Sequence, residues 1–220
     1  MFSEENFIDF KCPYCDAGVS FPEGDVGYVR QCPECNEPLV VPAAGSELGL
    51  RLPIPITTPR LVLRRFAQND WKDLLECSDG AEEETVLRWL ESDSHVRLTT
   101  PEQPFYLGIE LQEAGKLIGF LSLRFTDSER LQAALEFTLN KEHEKNDVGP
   151  EAVDALLGFC FQGIKLHRVT ASCLGNDESK RRILEAVGMR REGEFVKDRW
   201  VDGEWANTIL YAALEEEYLE

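Results

Sequence analysis

The chain has 220 residues, of which 43% are hydrophobic, and this is sufficient for a true core in one or two domains. Its formal net charge of −18 argues against nucleic acid or an anionic membrane surface as the main partner. No apolar run approaches the ~20 residues of a membrane span, and the acidic N-terminus is unlike a signal peptide, so we expect a cytoplasmic protein.

Four of the seven cysteines stand near the start as two Cys-Pro-x-Cys turns. Cys12 and Cys15 form the first pair and Cys32 and Cys35 the second, with sixteen residues between the pairs. Each turn can direct two thiolates at one ion, so the spacing predicts a structural zinc site with four protein ligands and no open position for catalysis. Two redox pairs or disulfides are the alternative, which the repeated motif and the cytosolic setting disfavour.

The cysteine-rich segment resembles a zinc ribbon over roughly residues 8–42. Lys11 and Arg30 are its only basic residues, against eight acidic ones in residues 1–42. We therefore expect it to bind a protein partner or to pack on a second domain. Such a short unit cannot bury enough surface to fold without its metal. Its expected apolar set is Phe10, Val19, Phe21 and Val29.

Prolines and glycines then mark residues 43–56 as a linker, and a second domain is predicted over 57–220. Its first strand is predicted over residues 60–65 from their alternating pattern. A helix over about 81–90 would place Val86, Leu87 and Leu90 on one side. Other expected elements are a helix beginning near Asn69 or Asp70, a hairpin of strands 105–111 and 117–125, a strand over 165–173, and a closing hairpin at Asp202-Gly203.

A strand, a polar loop and a helix are predicted over residues 131–163. Leu135, Phe137 and Leu139 alternate with small or polar residues, which is the period of a strand with one buried face. From Val153 onward the apolar residues fall three and four apart, as on one side of a helix that Pro150 would begin and Gly163 would end. The N-terminus of such a helix carries unpaired N–H groups and suits a phosphate.

These residues resemble a known family. Phe137-Thr138-Leu139-Asn140, followed by Glu151-Ala152-Val153, resembles the GNAT acyltransferases in the branch of the RimJ/RimL N-acetyltransferases, and residues 57–61 are typical of that branch. The resemblance covers roughly residues 57–214. It implies an α/β fold with a mixed, mostly antiparallel sheet flanked by helices, in which two strands splay apart at the acetyl-CoA thioester. It also implies acetyl-CoA as co-substrate and an amine of a protein or small molecule as acceptor.

The loop that holds the pyrophosphate in this family departs from the pattern here. The family's Gln or Arg falls on Glu144, its middle glycine on Asp147 and a further glycine on Lys145, whereas Gly149 keeps the last small position. A carboxylate about 4 Å from a phosphate is repelled by ~1 kcal/mol in water and ~4 kcal/mol at an effective dielectric of about 20. Alternatively, Asp147 caps its own helix, and Lys145 restores some attraction.

A second loop of the resemblance precedes a later helix. In the family an Asn-x-x-Ser motif, here Asn176 to Ser179, often lines the arm of coenzyme A. The alternative is that Asn176 or Asp177 only caps the helix. The residues that the resemblance assigns to cofactor binding are Leu139, Asn140, Lys145, Asn146, Val148, Gly149, Asn176 and Ser179.

Direct attack of an amine on the thioester needs a base, an N–H for the oxyanion and a proton for the thiolate. Main-chain amides near Leu139 would serve the oxyanion. The family's acidic strand position falls on Ala134, but Glu136 points to the same side and is the candidate base, with a solvated glutamate as the alternative. Ser179 or Tyr211 would protonate the thiolate.

Two hypotheses from different classes follow. The first is an N-acetyltransferase, whose acidic surface would favour basic acceptors by electrostatic steering. The second is a catalytically inactive descendant that serves as a zinc-stabilised interaction module, with Glu144 and Asp147 as its evidence.

Overall fold

The structure is a computed structural model that describes residues 6–78, 80–100, 102–143 and 146–219. Glu144 and Lys145, on which two of the loop predictions fall, lie outside the described residues. The helices within these ranges are α1 Trp71–Cys77, α2 Glu83–Ser94, α3 Val148–Gly158, α4 Glu178–Ala186 and α5 Glu215–Tyr218. The strands are β1 Phe7–Lys11, β2 Gly18–Pro22, β3 Val29–Gln31, β4 Pro38–Val40, β5 Leu50–Arg51, β6 Ile56–Thr57, β7 Leu61–Arg64, β8 Phe105–Leu111, β9 Lys116–Phe125, β10 Gln132–Leu139, β11 Arg168–Leu174, β12 Arg190–Val201 and β13 Glu204–Leu214.

The largest sheet has eight strands in the order β12-β13-β11-β10-β9-β8-β7-β6. Every neighbouring pair in it is antiparallel except β10 and β11, which run parallel. Helices lie on both sides of this sheet, because α3 and α4 pack on one face and α1 and α2 on the other. The α/β, mostly antiparallel fold class predicted from the sequence is therefore present.

The main core lies between the sheet and α3. Leu135, Phe137 and Leu139 of β10 are buried there, as their alternation predicts. Val153 and the rest of the helical stripe are buried against them. The helix begins at Val148, so Pro150 falls in its first turn, and the chain leaves it through a π-helical turn, Phe159–Gly163.

A second cluster lies under α1 and α2 on the opposite face. Val86 and Leu90 are buried in it. The prediction that Leu87 lies on the same side of the helix is wrong, since Leu87 is 42% exposed. Four aromatic rings pack beside this cluster, with centroids 4.9–6.4 Å apart. They are Phe66, Trp89, Tyr106 and Phe120.

The cysteine-rich region forms the β1–β2 sheet and the β3–β4–β5 sheet. Phe10 and Val19 pack in its small core, with Phe21 against them. The placement of Val29 in that small core is wrong, because Val29 and Val40 are buried in the main core instead. The two regions also meet through polar contacts, since Arg97 Nε donates to Glu37 Oε1 at 2.8 Å. Their apolar interiors are thus partly shared.

Two further predictions concern the C-terminal half. The hairpin at Asp202-Gly203 is confirmed, with both turn residues at positive φ, 50° and 87°, as in a type I′ turn. The strand predicted over 165–173 begins later, at Arg168, because Lys165 lies outside it and donates through Nζ to the carbonyl of Val26 at 3.3 Å. Among the helices that the structure describes, each is too short or too polar to cross a membrane.

Candidate active site

Strands β10 and β11 separate in the middle of the large sheet. Their paired residues run from Gln132 with Arg168 to Leu135 with Ala171. Beyond that point β10 continues to Leu139 and β11 to Leu174 without further pairing to each other. Two parallel strands joined at one end and open at the other leave a V-shaped gap in the sheet.

A cavity of about 250 Å³ lies at this gap. Both separating strands line it, β10 through Glu136, Phe137 and Thr138 and β11 through residues 172–174. The remaining lining residues come from β8, β9, the start of α4 and β12, and they are Tyr106, Phe120, Ser122, Asp177, Lys180 and Arg199.

Three polar side chains form a row on one face of the cavity. Glu136 is opposite Ser122 on β9, and Ser122 is opposite Tyr106 on β8. Directly opposed residues of antiparallel strands project from the same face, so the carboxylate, hydroxyl and phenol lie side by side. Burial, and after it the negative charges of Glu136 and Asp93, raises the pKa of Tyr106, which keeps the phenol protonated. Glu136 is exposed and is the acidic member of this row.

The start of α4 contributes a cation. The side chain of Asp177 accepts from Lys180 N at 2.9 Å, so Asp177 caps the helix and Asn176 remains exposed. Ser179 is half-buried in the first turn. Lys180 Nζ lies 5.5 Å from the ring centroid of Phe137, at the cavity. Lys180 is a cavity residue that the sequence patterns did not identify, although it directly follows Ser179 of the Asn-x-x-Ser motif.

Tyr211 is fully buried on β13. Its hydroxyl donates to Glu185 Oε1 of α4 at 2.9 Å. Burial, together with that hydrogen bond, raises the pKa of Tyr211. Neither Tyr211 nor Ser179 is among the described residues that line the cavity.

The described part of the loop before α3 leaves the helix end open. Asp147 stands at the N-cap with φ 32°, and its exposed side chain makes no capping hydrogen bond. The capping alternative for Asp147 is therefore wrong. Instead its main-chain carbonyl accepts from Arg60 Nη2 at 3.0 Å. Asn146 is exposed as well, whereas Val148 and Gly149 are buried against the core.

A second cavity, of about 370 Å³, adjoins the first at Phe120 and Thr138, which line both. Leu139 and Asn140, two of the predicted cofactor contacts, also line it. The Asn140 carboxamide accepts from Glu142 N at 3.1 Å, which fixes the turn that leaves β10. The two cavities therefore lie side by side along the end of β10.

The four N-terminal cysteines lie together, with all sulfur atoms within 4.8 Å of one another. Cys12 and Cys35 Sγ are 3.7 Å apart, and Cys15 and Cys32 Sγ are 3.9 Å apart. A zinc ion with Zn–S bonds of about 2.3 Å holds tetrahedral sulfurs roughly 3.8 Å apart, so the arrangement fits this metal.

The two cysteine turns have matching main-chain geometry. Cys12 N donates to Ala17 O at 2.8 Å and Cys32 N to Glu37 O at 3.0 Å. The residue after each second cysteine has positive φ, 59° at Asp16 and 60° at Asn36. The two halves of the cluster thus have the same main-chain geometry, which suits four thiolates around one central metal ion.

Comparison with known proteins gives the family. The model of the acetyltransferase (GNAT) domain matches residues 60–190. The chain is therefore a member of the GNAT acetyltransferase family, for which acetyl-CoA is the co-substrate and an amine the acceptor.

Individual relatives agree with this assignment. The chain is 27% identical to the uncharacterized N-acetyltransferase YnaD of Bacillus subtilis over 168 residues, which are 74% of this chain and 98% of that protein. A GNAT-family acetyltransferase from Bacillus anthracis superposes with a TM-score of 0.65 at 26% identity and covers 74% of this chain and 99% of its own. The spermidine/spermine N-acetyltransferase SpeG of Vibrio cholerae shares the fold, with a TM-score of 0.62 at 15% identity, over 73% of this chain and 95% of its own.

Proposed function

We propose that the protein is an active N-acetyltransferase of the RimJ/RimL type, which acetylates an amine bound on the Tyr106–Ser122–Glu136 face. The observation that carries this proposal is the cavity at the separating ends of β10 and β11, with a carboxylate on its wall. In this proposal the amine and the thioester approach from opposite sides of the gap.

In the proposed reaction the neutral amine attacks the carbonyl carbon of the thioester. The C–N bond forms while the C–S bond breaks, and the nitrogen loses a proton. Glu136 takes the proton whose loss converts the bound ammonium group into this amine, because its carboxylate is the acidic group on the face that also bears Ser122 and Tyr106. The proton lost on attack passes to the leaving thiolate. The coenzyme leaves as a thiolate and is protonated.

The protonation of the thiolate is assigned to Ser179. This residue directly precedes Lys180, which lines the cavity, whereas the Tyr211 hydroxyl is engaged by Glu185. Leu139 and Asn140 and the N-terminus of α3 would bind the cosubstrate from the β10 side. Asn176 would do so from the α4 side, where Lys180 adds a positive charge. Main-chain amides near Leu139 would stabilise the oxyanion.

The acceptor is proposed to be cationic. The net charge of −18 attracts basic molecules to the surface. Near the reaction site, Glu136 lies beside the aromatic rings of Tyr106 and Phe120, and ring faces and a carboxylate together favour an ammonium group. Lysine-rich or basic N-terminal peptides and polyamines are therefore the first acceptors to test.

The cysteine cluster is proposed to hold a structural zinc ion, in a ribbon formed by residues 1–42 and joined through residues 43–56 to the acetyltransferase domain. Four thiolates would complete the tetrahedron, so the metal would take no part in the reaction. Its contribution would be to hold β3 and β4 in place, and thereby Val29 and Val40 in the main core.

Calorimetric titration with acetyl-CoA, and release of free thiol in the presence of basic amines, test the activity. We expect saturable binding and turnover. Glu136→Gln should lower kcat about 100-fold and leave acetyl-CoA binding within about twofold, since only the proton acceptor is lost. The exposed Glu129→Gln is the control. A fully active Glu136→Gln variant would show that another group is the base.

The departure of the loop at Asp147 is tested separately. If the carboxylate repels the pyrophosphate, Asp147→Gly should tighten acetyl-CoA binding about fivefold. Asp147→Asn removes the charge but keeps a side chain that tolerates positive φ, so it separates charge from backbone freedom. Absence of binding at millimolar acetyl-CoA in the parent, Asp147→Asn and Asp147→Gly chains would favour the catalytically inactive module.

A further inference from the structure

A cavity of about 450 Å³ lies where β9 ends and β10 begins. It is lined by residues 99, 100 and 102 before β8, by the end of β9 and by the turn that follows. Arg124 lies two residues beyond Ser122 on β9, roughly 7 Å along the same face of the strand. The cavity is therefore a neighbour of the candidate acceptor site and is distinct from it.

Two arginines and two acidic residues line the cavity. Arg124 and Arg130 both line it, and neither guanidinium has a hydrogen bond or an ion pair with another described residue. Of the two acidic lining residues, Asp127 is engaged by main-chain donors, because its carboxylate accepts from Leu131 N at 3.1 Å and from Gln132 N at 2.9 Å. The other, Glu102, is exposed.

A third arginine approaches from the cysteine-rich region. Arg30 of β3 already pairs with Asp25 at 2.5 Å. Burial, and after it the positive charge of Arg30, lowers the pKa of Arg130. Like charges are thus brought towards each other at the junction of the two regions, where an anion would relieve their repulsion.

One polar side chain at the cavity lacks a partner. Thr99 is 1% exposed, lines the cavity, and has a buried hydroxyl without a hydrogen bond to any described residue. Buried hydroxyl groups are normally hydrogen-bonded, so this group is free to act as a further donor at the cavity.

We propose that this cavity is a binding site for a small oxyanion, a phosphate- or carboxylate-bearing molecule held by Arg124 and Arg130 with the Thr99 hydroxyl. The planar guanidinium fork matches the oxygen geometry of both groups. The ligand would lie on the acetyltransferase fold, on the side towards Arg30 of the cysteine-rich region.

Calorimetric titration of the full chain with inorganic phosphate and with succinate, against sodium chloride of equal ionic strength, tests the proposal. We expect saturable binding of at least one of the two oxyanions, and the tighter one identifies the class. The double variant Arg124→Gln and Arg130→Gln should weaken that binding at least tenfold. Thr99→Val should weaken it several-fold while the protein stays folded, because only an unpartnered hydroxyl is removed.

Two control variants test whether the oxyanion binds at this cavity or elsewhere on the chain. Arg88→Gln removes an exposed arginine far from the cavity in sequence, and Lys180→Gln removes the cation of the candidate active site, where phosphate would compete with coenzyme A. Both should bind the oxyanion like the parent chain. Binding that equals the chloride baseline, or that is lost in Lys180→Gln and kept in the arginine double variant, would overturn the proposal.

Discussion

Gly149 lies so close to Ile183 that a β-carbon at position 149 would come within 2.6 Å of Ile183 Cδ1. The same atom would lie 3.0 Å from Leu139 Cδ1. The first turn of α3 therefore packs directly on α4, near the residues proposed to bind the cosubstrate. The small residue that the family pattern requires here serves packing between helices in this chain.

Gly149→Ala should destabilise the protein by about 1–3 kcal/mol, because the added methyl group overpacks this contact. Urea unfolding followed by circular dichroism measures the loss. Ile183→Val removes the clashing Cδ1 and should recover part of the stability in the double variant, although alone it costs about 1 kcal/mol. Additive losses in the double variant would contradict the contact.

Asp93 should make stability depend on pH. Burial raises the pKa of Asp93 from 3.8 to about 6, although the nearby Arg65 lowers it. The folded chain thus holds this proton more tightly than the unfolded chain. Its stabilising contribution to the free energy of unfolding is therefore full below pH 4 and is lost as the pH rises through 6. Because Asp93→Asn cannot ionise, its unfolding free energy relative to that of the parent should rise by on the order of 1–3 kcal/mol between pH 4 and pH 7.

The measurement for Asp93 is the difference in unfolding free energy between parent and variant across this range. Using a difference cancels the titration of the other carboxyl groups, and the exposed Asp198→Asn serves as the control substitution. A pH-independent difference for Asp93→Asn would show that its carboxyl group is not perturbed by burial.

Glu151 joins α3 to the entrance of the domain. Its carboxylate accepts from Thr58 Oγ1 at 2.5 Å, from Arg60 N at 3.0 Å and from Arg60 Nε at 2.5 Å. Glu151→Gln removes the charge from this set and should cost about 1–2 kcal/mol in denaturant unfolding. Glu84→Gln, which breaks an exposed ion pair with Arg88, should lower the unfolding free energy by less than about 0.5 kcal/mol. Equal effects of both would mean that the Glu151 contacts are solvated.

Loss of the proposed zinc ion should destabilise the acetyltransferase domain as well as the cysteine-rich region. Cys32→Ser, or treatment with a zinc chelator, is expected to lower the unfolding free energy of the whole chain by more than about 3 kcal/mol in one transition, because Val29 and Val40 leave the main core. Metal analysis should give one zinc per parent chain and the same for Cys77→Ala. Fewer metal ions in a fully reduced protein, or an unchanged melting curve with chelator, would contradict this site.

Local patterns predicted the elements well. The alternation of Leu135 and Phe137, the Asp202-Gly203 turn and the repeated Cys-Pro-x-Cys motif each express a rule that acts within a few residues, and each has its expected form in the structure. The fold class followed from the same segments, since the resemblance depended on a strand and helix that are contiguous in sequence.

The residues that line the candidate site were harder to predict from the sequence. Ser122 and Tyr106 join Glu136 only through the register of three strands, and the sequence does not specify that register. Val29 shows the same limit, because an apolar residue beside a cysteine turn predicts burial but not which core will bury it. These features arise from contacts between residues far apart in the chain.

Because the pairing of β10 with β11 ends at Leu135, the last residues of β10 have no neighbouring strand on that side among the described residues. Beyond Leu135, the main-chain groups on the β11 side of β10 have no partner on β11, so an incoming molecule with amide groups of its own would be able to pair with them as an added strand. The reaction partner would then be aligned by the same hydrogen bonds that build the sheet, and its reactive end would be held at a fixed depth between the two halves of the domain.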